Sequence, residues 1–237
     1  MYRTEAIVFF CVALTAVAAL SGCAMAPKKE DPYENFNRQV YKLNKTVDTA
    51  IVKPIAVTYQ TITPEFVDKG VTNFFGNIGE LSNTLLNALQ ADFDGAVNSA
   101  TRLAVNTTVG VAGIFDVASN MGIERDVEDV GQTLGKWGLA EGNYVVLPLL
   151  GPSTMRDTAG LVGDFFLDPV KMPALQALRA IDMRADFNNM EKVVESVAID
   201  EYEFVREAYL QRRRFKLFDG VPPADAWDEL EEEMQSD

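Results

Sequence analysis

The chain has 237 residues, enough for one or two domains, and its 48% hydrophobic and 24% charged residues sit near a globular average, which excludes disorder along its whole length. With 21 Lys and Arg against 35 Asp and Glu, the net charge of −14 argues against nucleic acid and against electrostatic docking on anionic lipid heads. There is no histidine and the only cysteines are Cys11 and Cys23, so His-based acid–base chemistry, Ser-His-Asp and Cys-His sets, disulfide frameworks and thiolate cages are excluded. No cofactor or metal site is expected.

Residues 6–20 form an apolar run of signal-peptide length, too short for a comfortable membrane span. It leads into Leu20-Ser21-Gly22-Cys23, which resembles the bacterial lipobox. Residues 1–22 therefore read as a lipoprotein signal peptide, Cys23 as the acylated lipid anchor, and residues 23–30 as a short polar tether. Ala24 stands where an Asp marks inner-membrane retention in the lipoproteins this resembles, and its absence implies outer-membrane sorting.

Asp31-Pro32 predicts a helix start, with Asp as cap and Pro at the first helical position. Phe36, Val40, Leu43, Val47 and Ile51 follow at helical spacing, and Pro54 ends or kinks that helix. Residues 71–115 carry only Glu80, Asp92, Asp94 and Arg102 as charges; the rest is apolar mixed with Asn, Thr and Ser. These are helices whose non-core face is polar but uncharged: either a buried central pair, or a surface that meets lipid or lines a mixed-polarity channel. Fourteen of the sixteen glycines lie from Gly70 to Gly163, which signals tight helix contacts, hinges or irregular loops.

Residues 137–155 carry the single charge Glu141 and read as an apolar loop or hairpin, because Pro148 breaks a helix. Thr154 to Asp157 fits a capping box, Met155, Ala159, Val162 and Phe166 form the next helix face, and Asp168-Pro169 stops it. Two short helices are expected over 175–187 and 191–197. Asp200 with Glu203 opens a last helix that ends in Arg212-Arg213-Arg214-Phe215-Lys216, cations that suit the helix dipole or dock phosphate heads. Residues 221–237 hold seven acidic and no basic residues, an acidic tail expected to be disordered or a frayed helix. The chain is mostly helical in this reading.

In order along the chain, Asp31-Pro32-Tyr33-Glu34-Asn35-Phe36-Asn37-Arg38, Lys53-Pro54-Ile55-Ala56, Val71-Thr72-Asn73-Phe74-Phe75-Gly76-Asn77, Gly131-Gln132-Thr133-Leu134-Gly135 and Leu147-Pro148-Leu149-Leu150-Gly151-Pro152 resemble the MlaA (VacJ) family of outer-membrane lipoproteins. Asn143, where that family usually has proline, and Leu43, where it often has phenylalanine, depart from the pattern. The resemblance implies a single-domain, ring-shaped helical bundle over residues 31–220, with amphipathic membrane-embedded helices and a central channel. It implies a protein held in the inner leaflet of the outer membrane beside trimeric porins. Such a protein takes mislocalised phospholipids from the outer leaflet and passes them to a soluble MlaC-like periplasmic carrier.

The candidate gate is the glycine-flanked loop over 138–151, with Gly138 and Gly142 as hinges. Asp164 is a candidate that holds this loop, touches a lipid headgroup, or merely caps a helix. Asn44 is either a pore-side polar contact or a surface asparagine. A hydrolase built on Ser153 with Asp157 or Arg156 lacks a base, so no enzymatic activity is expected. The alternative to a lipid path is a porin-associated structural lipoprotein.

Overall fold

The computed structural model describes residues 31–221; the signal peptide, the Cys23 anchor and tether, and all of the acidic tail beyond Val221 lie outside them. The described residues are mostly helical. Helix α1 (Glu34–Val47) runs through a π-turn (Asp48–Val52) into α2 (Lys53–Ile62). Pro54 thus does not end the helix. It sits in the first turn of α2, and the widened π-turn just before it relieves the clash its ring makes with the preceding turn. Asp31 does not cap α1 either: its carboxylate accepts from the Tyr33 amide at 3.2 Å and from Asn37 Nδ2 at 2.9 Å, ahead of and beside the first turn.

The long helix α3 (Glu65–Leu89) folds back on α4 (Phe93–Thr108), and a single turn, α5 (Val117–Asn120), packs on α4. Helix α6 (Val130–Lys136) leads into an antiparallel hairpin, β1 (Tyr144–Leu147) and β2 (Gly151–Thr154), paired from Tyr144–Thr154 to Leu147–Gly151. Helix α7 (Met155–Leu167) follows at once, capped by Thr154 Oγ1 accepting from the Asp157 amide at 3.2 Å, and stops at Asp168 as its proline requires. Residues 175–197 do not form two short helices but one, α8 (Pro173–Val197), because nothing between Phe187 and Glu191 breaks it. Helix α9 (Glu201–Leu217) opens on Asp200, which accepts from the Tyr202 amide at 2.9 Å and the Glu203 amide at 3.3 Å.

The packing partners form a closed sequence: α1 on β1, β2 on α7, α7 on α6, α6 on α3, α3 on α8, and α8 on α2, which continues α1. The α6–α7 crossing is so close that a Cβ on Gly160 would lie 2.6 Å from the Gly131 nitrogen, so the crossing admits only glycine there. Among the described residues no helix is long and apolar enough to cross a membrane.

Side chains are partitioned the reverse of a water-soluble domain. Among the described residues, ten hydrophobic ones are buried, against twenty polar or charged ones, while thirty-six large hydrophobics are exposed. On α3 and α4 the polar face is therefore the inner one, contrary to the expected polar non-core face: Asn77, Asn83, Asn87, Ser99, Arg102 and Asn106 are buried, and Leu81, Leu85, Phe93 and Val97 are exposed. The Met155–Phe166 face of α7 likewise points outward, with Phe165 63% and Phe166 74% exposed. A small apolar cluster of Val40, Tyr144, Val146 and Tyr202 sits where the hairpin meets α1 and α9.

Candidate functional site

An interior this polar persists only if its groups find partners, since each unpaired one costs about 1–3 kcal/mol. Three networks supply them. Between α3 and α4, Arg102 Nε meets Glu80 Oε1 at 2.9 Å and Arg102 Nη2 meets Asp116 Oδ2 at 3.0 Å, with Arg125 Nε 3.4 Å from the same Glu80 oxygen. Burial raises the Asp116 carboxyl, but donors from Ser119, Asn106 and Arg102 outweigh it and hold it down at about 2. Under α6 and α7, Arg213 Nη2 donates to Asp129 at 2.9 Å and to Asp157 at 2.8 Å, and Tyr209 Oη donates to Asp157 at 2.8 Å. Arg213, one of the cations expected at the α9 end, is thus buried in ion pairs rather than presented to phosphates. At the junction of the chain's described ends, Asn37 Nδ2 donates to Asp31 and to the Tyr144 carbonyl at 3.2 Å, Tyr202 Oη donates to Asp31, and the Val146 amide donates to Asn37 at 2.8 Å.

The 138–151 segment holds β1 and the turn of the hairpin, Pro148-Leu149-Leu150, which carries two leucines more than 70% exposed. Gly138 and Gly142 precede it, with φ of +89° and +71°. These are left-handed conformations that L side chains adopt at a cost. The space at Gly138 is open, whereas a Cβ at Gly142 would stand 2.9 Å from Met155 Cβ.

Asn44 proves to be the hairpin's tie to α1. Its Nδ2 donates to the Leu147 carbonyl at 2.9 Å, and its Oδ1 accepts from the Leu149 amide at 2.7 Å, so both turn ends hang on one amide. Asp164 lies apart from the hairpin. Its carboxylate accepts from the Val130 amide at 2.8 Å, at the start of α6, and burial pushes its carboxyl up to about 6, with Asp129 and Asp157 acting in the same direction. The structure therefore brings Asn44 to the turn of the hairpin, sets Gly142 against Met155 at its base, and places Asp164 at the start of α6.

Ser153, considered for hydrolysis, is buried, with Oγ 3.0 Å from Thr158 Oγ1, while Asp157 is engaged by Arg213 and Tyr209. The sequence did not point to Arg213, Asp129 or Tyr209 as interior residues. The signal that was available lay elsewhere: Glu80 and Arg102 are two of only four charges in 45 residues, and they pair with each other.

A helical scaffold with an ionic, hydrogen-bonded interior and so large an exposed apolar surface belongs to the class of membrane-associated proteins. A family model described as MlaA lipoprotein matches residues 29–216, and the chain belongs to that family. It is 36% identical over 211 residues, 83% of either chain, to the intermembrane phospholipid transport system lipoprotein MlaA of Escherichia coli. It is 37% identical over 141 residues to an uncharacterised protein of Rickettsia typhi, covering 59% of this chain and spanning only 56% of that relative's length. A solved structure concerned with the structural basis for maintenance of bacterial outer membrane lipid asymmetry superposes with a TM-score of 0.70 at 30% identity, covering 80% of this chain and all of that one.

Proposed function

We propose that this chain is an outer-membrane lipoprotein, acylated at Cys23 and seated in the inner leaflet, that removes mislocalised phospholipids from the outer leaflet. It passes them to a soluble periplasmic carrier for retrograde transport. The observation that carries this reading is the inverted partition, thirty-six large hydrophobics exposed against ten hydrophobics buried. An exterior of Leu, Phe and Val gains about 25 cal/mol per Å² when hydrocarbon replaces water, so the lipid phase stabilises the fold that water would not. The closed sequence of packed elements supports a ring. The relative named as a phospholipid transport lipoprotein and the likeness to a structure concerned with lipid asymmetry support lipid as the cargo.

A phospholipid needs a path that accepts a polar head without holding it. A lining of amides and hydroxyls, with most of its charges already paired, offers hydrogen bonds weak enough to release. The hairpin is the gate in this reading: Gly138 and Gly142 supply the backbone freedom and Asn44 holds the turn. Asp164 acts indirectly, through the seating of α6. No covalent step is involved. Trimeric porins are the membrane neighbours in this proposal, and an MlaC-like carrier is the acceptor.

The test is the phospholipid content of the outer leaflet in cells lacking the protein. Restored asymmetry is expected with the wild-type copy, incomplete restoration with Cys23→Ala, and none with Gly142→Pro, whose φ cannot be adopted by proline. A deletion strain with normal outer-leaflet lipid overturns the proposal, and normal clearance with Gly142→Pro removes the hairpin from it.

A further inference from the structure

Along the continuous rod of α1, the π-turn and α2, two open grooves follow one another. The first, about 580 Å³, is lined by Lys42, Lys45, Thr46, Thr49 and Ala50. The second, about 400 Å³, lies between α2 and α8 and is lined by Pro54, Ile55, Thr58, Tyr59, Ile62 and Ile181. Ala50 closes the first and Pro54, four residues on, opens the second, so the two adjoin on one face of the rod.

Their chemistry differs. The first groove is cationic. Lys42 is exposed and makes no ion pair among the described residues, and the Thr49 hydroxyl is likewise without a partner there. Lys45 has one partner, Glu201, in an exposed pair. The other carboxylates beside the rod are engaged elsewhere, Asp48 by Arg184 at 2.7 Å and Glu191 by Lys53 at 3.1 Å. A chain of net charge −14 thus keeps an unmatched positive charge at this groove.

The second groove is apolar. Three isoleucines and a proline line it, with Ile55 and Ile62 exposed. Its two hydroxyls donate elsewhere, Tyr59 to Asp182 at 3.1 Å and Thr58 to the Pro54 carbonyl at 2.8 Å, so no free donor faces it.

A cationic cup joined end to end with an apolar groove matches a molecule that carries an anionic head on a hydrocarbon tail. The dimensions agree. The twelve residues from Ala50 to Ile62 rise about 18 Å. One leaflet's share of a hydrocarbon core is about 15 Å.

We propose that this rod holds one glycerophospholipid at a time, with its phosphate on Lys42, Lys45 and the Thr49 hydroxyl and one acyl chain along the α2–α8 groove. The second chain stays in the surrounding bilayer. The site takes its cargo from the proposed function, on which it rests, and adds where on the chain that cargo is held. It asks two lysines to hold one phosphate, not an acidic chain to dock on an anionic surface. Contacts from exposed lysines are screened by salt and exchange readily, so the head is held without being trapped.

Photo-crosslinking tests this. The full lipoprotein is placed in phosphatidylethanolamine vesicles carrying a little phosphatidylglycerol with a diazirine at the end of one acyl chain, and labelled peptides are identified by mass spectrometry. Label should concentrate on 54–62 and around Ile181, above the level on the exposed faces of α3 and α7. Diacylglycerol with the same chain lacks the phosphate and should show no such excess. Lys42→Gln should lower the excess about fivefold, the worth of one lysine beside an anionic head. Adding Lys45→Gln should lower it further, and Ile55→Asp should abolish it. All three positions are exposed, so the variants keep the fold. Uniform label, equal labelling by diacylglycerol, wild-type label in the double lysine variant or displacement by inorganic phosphate overturns the site. So does a dimer whose second copy covers 54–62. The readout is binding rather than transport. Uniform label in a protein that still clears outer-leaflet lipid removes this site alone, and the expected label with normal lipid in the deletion strain removes the proposed function alone.

Discussion

Asp164 offers a sharp test of whether the interior has been understood. Its carboxyl is raised from an ordinary 3.8 to about 6, so folding is opposed by the charged form. A shift of about two units corresponds to about 3 kcal/mol, and partial solvent access reduces the expected effect to about 1–2 kcal/mol. The stability is fully present below the unfolded value and is lost as pH rises through about 6. Asp164→Asn retains an oxygen for the Val130 amide, now 2.8 Å away, but never ionises. Denaturant unfolding of the protein in detergent micelles should give equal stabilities for wild type and variant in mild acid. A gap in favour of the variant should open with pH and level off above neutrality. Asp164→Ala leaves the Val130 amide at the start of α6 without its acceptor, a loss of about 0.5–1.5 kcal/mol, and should gain little or nothing. An Asn variant less stable than wild type at neutral pH, or a gap that ignores pH, would refute this account.

Removing Arg102 leaves Glu80, which is 1% exposed, with Arg125 at 3.4 Å as its remaining cation, so Arg102→Met should cost about 3 kcal/mol in unfolding free energy, and adding Glu80→Gln should recover much of that loss. Asn44→Ala frees the Leu147 carbonyl and the Leu149 amide at an exposed turn where water replaces them; a cost of about 1 kcal/mol is expected, read as faster amide exchange of the hairpin with α4 unaffected. Asp116, held at about 2, contributes stability that is lost as pH falls through that value, and after allowance for its 28% exposure about 1–2 kcal/mol of acid lability should vanish in Asp116→Asn.

The helix boundaries were legible wherever a local signal set them. Thr154 with Asp157, Asp200 with Glu203 and Asp168-Pro169 fall where their chemistry predicts. Of the two outcomes expected at Pro54, an end to the helix does not occur, because a π-turn, which leaves no mark in composition, precedes it. The orientation of the α3–α4 pair was illegible for a deeper reason. Helical periodicity shows that one face is apolar, not which solvent that face meets, and the habit of assigning it inward assumes water outside. That glycines flank the hairpin could be read from spacing alone, but Asn44's double bond to it could not, since its partners lie 103 and 105 residues away. Asp164 looked like a neighbour of the hairpin because α7 follows it directly, yet the helix carries it toward α6.

The described ends of the chain are zipped together: Arg38 near the start meets Asp200 at 2.8 Å and Glu203 at 3.1 Å, and Arg213 near the finish neutralises Asp129 and Asp157. Asp129 and Asp157 thus gain this cation only when α9, the last of the described helices, is in place. Cutting α9 before Arg213 would leave Asp129 and Asp157 without that cation, while the Arg38 contacts at its first turn would remain.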